Sequence, residues 1–210
     1  RKHRGMSVFI LEPKNLEDFV ATDIETKLGL HCAPTGEMAF HGTKLPKEAL
    51  LGEVGDGFKI CMWQLNNTRL GCAAGALGVA GAALDAAVTY ANERTQFGVA
   101  ISHHQMVQAQ IAEMVVEHEA ARMLVYRAAW LKDRGRPNQY ETSLAKLQAS
   151  ETAVHAANEC MKIFGSYGYS TEYPAERLYR DAKSLQVVEG TSNIQKLIIA
   201  GIACGHTPNR

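Results

Sequence analysis

Leu70 to Leu84 is an unbroken run of 15 uncharged residues, rich in glycine and alanine and ended by Asp85. Apolar surface of that extent has to be removed from water along much of its length. A bilayer span takes about 20 apolar residues. The run therefore predicts a core helix and not a membrane span. The helical pattern around it extends over about residues 58–92. Gly71, Gly75 and Gly78 fall four and then three apart, on one face. That face predicts the close approach of a neighbouring helix.

Further helical patterns cover about residues 103–133 and 139–164, with a shorter one over 191–203. In the second, Val107, Ile111, Met114, Val115, His118, Ala121, Met123 and Leu124 recur near a 3.6-residue period. Ser102 suits its N-cap, and Gly135-Arg136-Pro137 stops it. In the third, Leu144, Leu147, Val154, Ala157 and Met161 give a helical face, with Glu151 as its one polar interruption. Long helices joined by short connections predict an antiparallel bundle. Before residue 56 the chain reads differently. Met6–Leu11 and Glu37–Phe40 suit strands, whereas Leu45-Pro46 and Gly52–Gly57 suit loops. So few strands make part of a domain and not a whole one. The expected fold is mostly α, a four-helix-bundle-like domain over 56–210 preceded by a β segment over 1–55. Between Phe164 and Ser192 the pattern breaks into a loop-rich stretch, a common place for function.

Charge narrows the function classes. Lys+Arg and Asp+Glu each number 22, so a nucleic-acid binder with a basic excess is not expected. With 46% hydrophobic residues the chain is not disordered in bulk. Cys32, Cys61, Cys72, Cys160 and Cys204 are scattered and form no CxxC pair, which suits a reducing compartment. Arg1–Arg4 is basic, but no apolar run of signal length follows, so no secretory or transit signal is expected.

Glu189 follows Leu185-Gln186-Val187-Val188 and precedes Gly190-Thr191-Ser192. An apolar setting disfavours the charged form of a carboxylate and suits a general base. Gly190 would let another molecule approach the backbone. The Thr191 and Ser192 hydroxyls, with the N–H groups opening the last helix, could receive a polar or anionic group. The competing reading is that Glu189 and Thr191 only cap that helix. Arg94-Thr95-Gln96-Phe97-Gly98 suits a phosphate and a stacked ring. It equally suits a cationic helix end with a glycine stop. Adjacent His103 and His104 diverge on a helix, so no metal site is expected. Asn66, Asn67, Thr68 and Arg69 are either a solvated face or a ligand contact.

These segments together are more specific than any one of them. Asn66 to Arg69, RTQFG, HHQ, KIFGSYGYSTEYPAERLYRDAK and VVEGTSNIQKLIIAG, in this order, resemble the C-terminal helical domain of medium- and short-chain acyl-CoA dehydrogenases. The resemblance covers about residues 5–205. Phe97, Gln105 and Glu189 stand 3, 11 and 95 residues after Arg94, as the family pattern has them.

The resemblance implies FAD chemistry. Glu189 would be the base that removes the α-proton of an acyl-CoA thioester. A hydride would pass from the β-carbon to the flavin, leaving a trans-2-enoyl-CoA. The Glu189 backbone N–H would help hold the thioester oxygen. Arg94, Phe97 and Gln105, with Lys162, Ile163, Phe164, Gly165 and Ser166, match contacts to the nucleotide half of FAD from a neighbouring subunit. Thr191, Ser192 and Asn193 match FAD contacts within the subunit. Asn66, Asn67, Thr68, Arg69 and Gly190 match CoA or acyl contacts.

The sequence also departs from the family. Lys162 stands where Gln is usual and Ser166 where a second Gly is usual. Lysine cannot accept a hydrogen bond. A carboxylate is common at Asn66. Relatives with their base on the first long helix place Glu near Thr68, and Thr has no usable proton-accepting pKa, so Glu189 is the sole base expected. By the resemblance, residues 1–55 are part of a middle β-barrel domain and the chain is the C-terminal portion of the enzyme, inactive alone. The implied partners are an acyl-CoA substrate, electron-transfer flavoprotein and further copies of the chain as a dimer of dimers. The implied location is the bacterial cytoplasm or the mitochondrial matrix. The alternatives are an acyl-CoA oxidase-like enzyme and a non-catalytic helical oligomerisation module.

Overall fold

The computed structural model describes residues 5–16 and 18–206. The basic opening Arg1–Arg4 lies outside the described residues. The chain forms two compact units that meet in sequence between Leu65 and Asn66.

The first unit carries two antiparallel ladders. β1 (Val8–Phe9) pairs with β4 (Leu50–Leu51), Val8 opposite Leu51. β2 (Phe19–Asp23) pairs with β3 (Gly36–Phe40), Phe19 opposite Phe40. The rings of that pair lie 5.2 Å apart, a cross-strand aromatic contact that favours this register. Only Val8–Phe9 of the expected Met6–Leu11 strand is extended in a ladder. β2 escaped the sequence reading because Phe-Val-Ala-Thr-Asp alternates too weakly to stand out.

The fold is mostly helical. α1 (Gly57–Glu93) runs on into the second unit, where α2 (Gln105–Asp133), α3 (Gln139–Phe164), α4 (Ala175–Leu185) and α5 (Ser192–Ala203) complete the bundle. A tight hairpin, β5 (Thr95–Gln96) with β6 (Val99–Ala100), links α1 to α2. The Ser102 cap is not formed. Ser102 lies in a 3-10 turn, Ile101–His103, and His104, with extended backbone, takes the N-cap. α4 occupies part of the stretch read as loop. Pro174 precedes it, and an Arg180–Glu176 pair at 2.6 Å braces a helix rich in charged residues.

The core is built from small side chains. Ala73, Ala76, Ala80, Ala83, Ala87 and Ala91 of α1 are each 0% exposed, spaced three or four apart along one face. α3 packs against α2, α4 and α5 and is buried on several sides. Its fully enclosed residues are Ala, Ser, Thr, Cys160 and Lys146, while Leu144, Leu147 and Val154 are half-buried. On α2, Met114 and Ala121 are buried as expected, but Met123 is 58% exposed.

The expected glycine contact is a correction. An added Cβ at Gly71, Gly75 or Gly78 would meet nothing within 4 Å. Ala73 and Ala80, two positions on from Gly71 and Gly78, lie about 200° round the helix, and with Ala76 they form the buried face instead. At Gly81 an added Cβ would meet His118 Nε2 at 3.2 Å. α1 is long and apolar enough to cross a membrane by length and composition, with 28% of its most apolar window buried. Its alanine face packs in the bundle core, as a core helix requires.

Candidate active site

Glu189 sits at the apex of the loop between α4 and α5. Glu189 and Gly190 both have positive φ, 57° and 92°. Left-handed backbone costs a non-glycine residue of order 1 kcal/mol or more, so neighbouring bonds must hold it. Arg69 Nε donates to the Glu189 carbonyl oxygen at 3.1 Å, and Arg69 Nη1 donates to Asn66 Oδ1 at 3.2 Å. Gln195 Nε2 donates to the Gly190 carbonyl at 3.0 Å and reaches that of Glu189 at 3.4 Å. Both donors are buried, Arg69 at 4% and Gln195 at 0% exposure. An added Cβ at Gly190 would stand 2.7 Å from Gln195 Nε2. Glycine is thus required there by backbone and by space.

The carboxylate itself accepts from Thr68 Oγ1 at 2.5 Å on Oε2. A carboxylate has about four acceptor positions, so capacity to take a proton remains. The side chain is half-buried. The apolar setting expected from its sequence neighbours is not formed by them: Val187 and Val188 are 59% and 42% exposed.

Thr191 does cap α5, its Oγ1 accepting from Ile194 N at 3.3 Å, but Glu189 does not. Ser192 Oγ donates to Glu151 Oε1 at 2.5 Å. Asn193 is exposed in the first turn of α5 and Asn67 is half-buried on α1. Arg69 is neither a solvated nor an outward residue. It is engaged by the loop, and burial pushes the pKa of its guanidinium below its ordinary value while the Glu189 charge acts the other way.

Two residues that hold this loop, Gln195 and Glu151, were not among the sequence candidates. For Glu151 the available signal was the polar break in the α3 face; Gln195 stands among the polar residues Ser192, Asn193 and Lys196 and carries no such signal. Lys146 is also fully buried, and its Nζ has no hydrogen-bond partner among the described residues. Burial lowers its pKa from 10.5; Cys72 raises it, Arg69 lowers it further, and Glu151 and Glu189 raise it.

A second group gathers at the hairpin after α1. The Arg94 guanidinium lies 5.7 Å from the Tyr167 ring centroid. Phe97 is 94% exposed at φ 54°, with its ring edge-on to His104 at 5.9 Å. Gln105 is exposed and opens α2. An exposed cation, an exposed ring and the first-turn N–H groups of a helix form a donor set that fits a phosphate-bearing aromatic cofactor such as FAD. Gly165 and Ser166 are exposed in the 3-10 segment Gly165–Tyr169. Ile163 and Phe164 instead point into the core, each 6% exposed, and Phe164 stacks on Tyr90 at 4.1 Å. They can offer a ligand their backbone only. Lys162 does not stand free in place of a glutamine. Its Nζ donates to both oxygens of buried Glu159, at 2.8 and 2.7 Å.

Comparison with known proteins places this geometry. The family model described as "Acyl-CoA dehydrogenase, C-terminal domain" matches residues 55–203. The chain is similar to glutaryl-CoA dehydrogenase of Desulfococcus multivorans, 51% identical over 94% of this chain and 51% of that protein. It is similar to the mitochondrial short-chain specific acyl-CoA dehydrogenase of Mus musculus, 44% identical over 96% of this chain and 48% of that protein. Among solved structures, a glutaryl-coenzyme A dehydrogenase in complex with glutaryl-CoA superposes with a TM-score of 0.94 at 49% identity, covering 98% of this chain and 52% of that one. The chain thus spans about half the length of the relatives it matches. With motifs, fold and relatives in agreement, the chain belongs to the acyl-CoA dehydrogenase family.

Proposed function

We propose that this chain supplies the catalytic base and part of the cofactor surface of an FAD-dependent enzyme that converts an acyl-CoA thioester to a trans-2-enoyl-CoA. The observation that carries the reading is the Glu189 loop, a half-buried carboxylate on strained backbone fixed by two buried donors. Glu189 takes the α-proton of the bound thioester onto a carboxylate oxygen. The Thr68 hydroxyl fixes the orientation of that carboxylate. The Glu189 N–H donates to the thioester oxygen and stabilises the charge that develops as the proton leaves. Arg69 and Gln195 hold the adjoining carbonyls and so keep that N–H aimed.

FAD, when bound, supplies the two-electron acceptor for the β-hydrogen. Arg94, Phe97, Gln105, Lys162, Gly165 and Ser166, with the backbone of Ile163 and Phe164, hold its nucleotide half in a neighbouring subunit. Thr191, Ser192 and Asn193 contact FAD in their own subunit; the Thr191 hydroxyl accepts from Ile194 N and can still donate, and that of Ser192 donates to Glu151 and can still accept. Asn66, Asn67 and Gly190 border the CoA or acyl group.

Residues 1–55 belong to a β domain and 56–210 to the helical domain. Val116, Met123 and Trp130 lie seven apart on α2 and are 68%, 58% and 49% exposed. Such a stripe supports assembly as a homodimer or dimer of dimers. Electron-transfer flavoprotein would reoxidise the enzyme, in the bacterial cytoplasm or mitochondrial matrix.

The test is stopped-flow flavin bleaching by saturating acyl-CoA in FAD-loaded enzyme. Glu189→Gln keeps the shape but cannot take the proton. It should slow bleaching by about a hundredfold to ten-thousandfold with acyl-CoA affinity nearly unchanged. Bleaching at the wild-type rate would show that another group is the base.

A further inference from the structure

The Glu189 loop is held at two levels. Its apex is fixed from within by Arg69 and Gln195. Its neck is closed from outside by α3. Gln186 Nε2 donates to Glu151 Oε2 at 2.8 Å, and Ser192 Oγ donates to Glu151 Oε1 at 2.5 Å. The same two loop residues are joined through backbone, Ser192 N donating to Gln186 O at 3.0 Å. One exposed carboxylate therefore spans both ends of the loop, three residues either side of Glu189. The packing of α3 does not call for a carboxylate at an exposed position, and Glu151 makes no ion pair within 4.0 Å among the described residues.

We propose that Glu151 is a positioning residue, a clamp across the neck of the loop that keeps Glu189 in its strained, reactive orientation. Strained backbone persists only where its surroundings over-determine it, and a small misplacement of a reacting group can cost about a hundredfold in rate. The inference rests on Glu189 being the base.

Two measurements test it. In the 210-residue chain, Glu151→Ala should raise hydrogen exchange of the amides of residues 187–192 while those of α3 stay protected. In the FAD-loaded enzyme, Glu151→Ala should slow flavin bleaching at saturating acyl-CoA by roughly ten- to a hundredfold, with acyl-CoA affinity within about twofold. Glu151→Gln can accept from Gln186 and donate to Ser192, so it should restore both readouts. Unchanged exchange in Glu151→Ala overturns the clamp. Faster exchange with an unchanged bleaching rate overturns its role in positioning. Failure of Glu151→Gln to rescue shows that charge, not bridging, matters, and also overturns it. Glu189→Gln bleaching at full rate would instead remove the base assignment while leaving the exchange result standing.

Discussion

Glu159→Gln should destabilise the helical unit, and the structure sets the size. Glu159 is 5% exposed and receives Gln110 Nε2 at 2.8 Å, Asn158 Nδ2 at 3.0 Å and both bonds from Lys162. A glutamine retains one acceptor oxygen and turns an N–H₂ towards two of these donors, Lys162 and either Gln110 or Asn158. The loss of one buried bond to a charged acceptor costs about 1.5–3 kcal/mol. The pair with half-exposed Lys162 adds less than about 1 kcal/mol after solvent screening. The total is about 1.5–4 kcal/mol, or roughly 3–16 °C in Tm for a chain of this size. Thermal unfolding followed by far-UV circular dichroism reads it. Lys162→Met should cost under about 1 kcal/mol. A Tm within about 1 °C of wild type for Glu159→Gln, or an equal loss for Lys162→Met, would refute the reasoning.

The same group fixes a pH slope. Desolvation by itself would raise the Glu159 pKa, but bonds from Lys162, Gln110 and Asn158 outweigh it and hold the carboxyl below the ordinary 4.5. The unfolded chain then binds more protons as pH falls through that window, so stability drops from about pH 4.5 downward. His155, whose Nε2 lies 3.8 Å from Glu159 Oε1, faces the same carboxylate. Glu159→Gln should flatten the slope relative to wild type.

Gly190→Ala would place a Cβ 2.7 Å from Gln195 Nε2 at φ 92°. It should cost about 1–3 kcal/mol and lower the flavin-bleaching rate, as urea titration and stopped flow would record. Lys146→Met keeps the buried stem and removes an ammonium without a hydrogen-bond partner among the described residues; Tm should be unchanged or higher, and a drop of several degrees would show that the charge stabilises the fold. Because burial lowers the Lys146 pKa from 10.5, the cost of its charge is greatest below the folded value. The advantage of Lys146→Met should therefore shrink as pH rises towards 10.5. Val116→Glu with Met123→Glu, on the exposed stripe of α2, should shift the assembly towards monomer in sedimentation.

The helices and the family were legible in the residues. α1, α2, α3 and α5 lie within about two residues of their expected spans, because long apolar periodicity is a local signal. Glu189 stands out as a candidate because the motif around it is specific. α4 was not legible, since it is only 11 residues long and lies between glycine- and proline-bearing segments that read as loop; its packing on α3 is a tertiary feature. Nor was the packing face of α1. Glycine and alanine are both small, and periodicity marks two opposite small-residue faces without saying which meets a neighbour. Tertiary structure chose the alanines. It also decided that Arg69 turns inward, and that Gln195 and Glu151 hold the loop. Unlike the local i,i+3 pair of Lys162 and Glu159 within α3, the Arg69–Glu189 and Glu151–Ser192 bonds join residues 120 and 41 apart in sequence. Hydrogen bonds at such separations follow from which helix faces meet, and no local pattern in the chain encodes that.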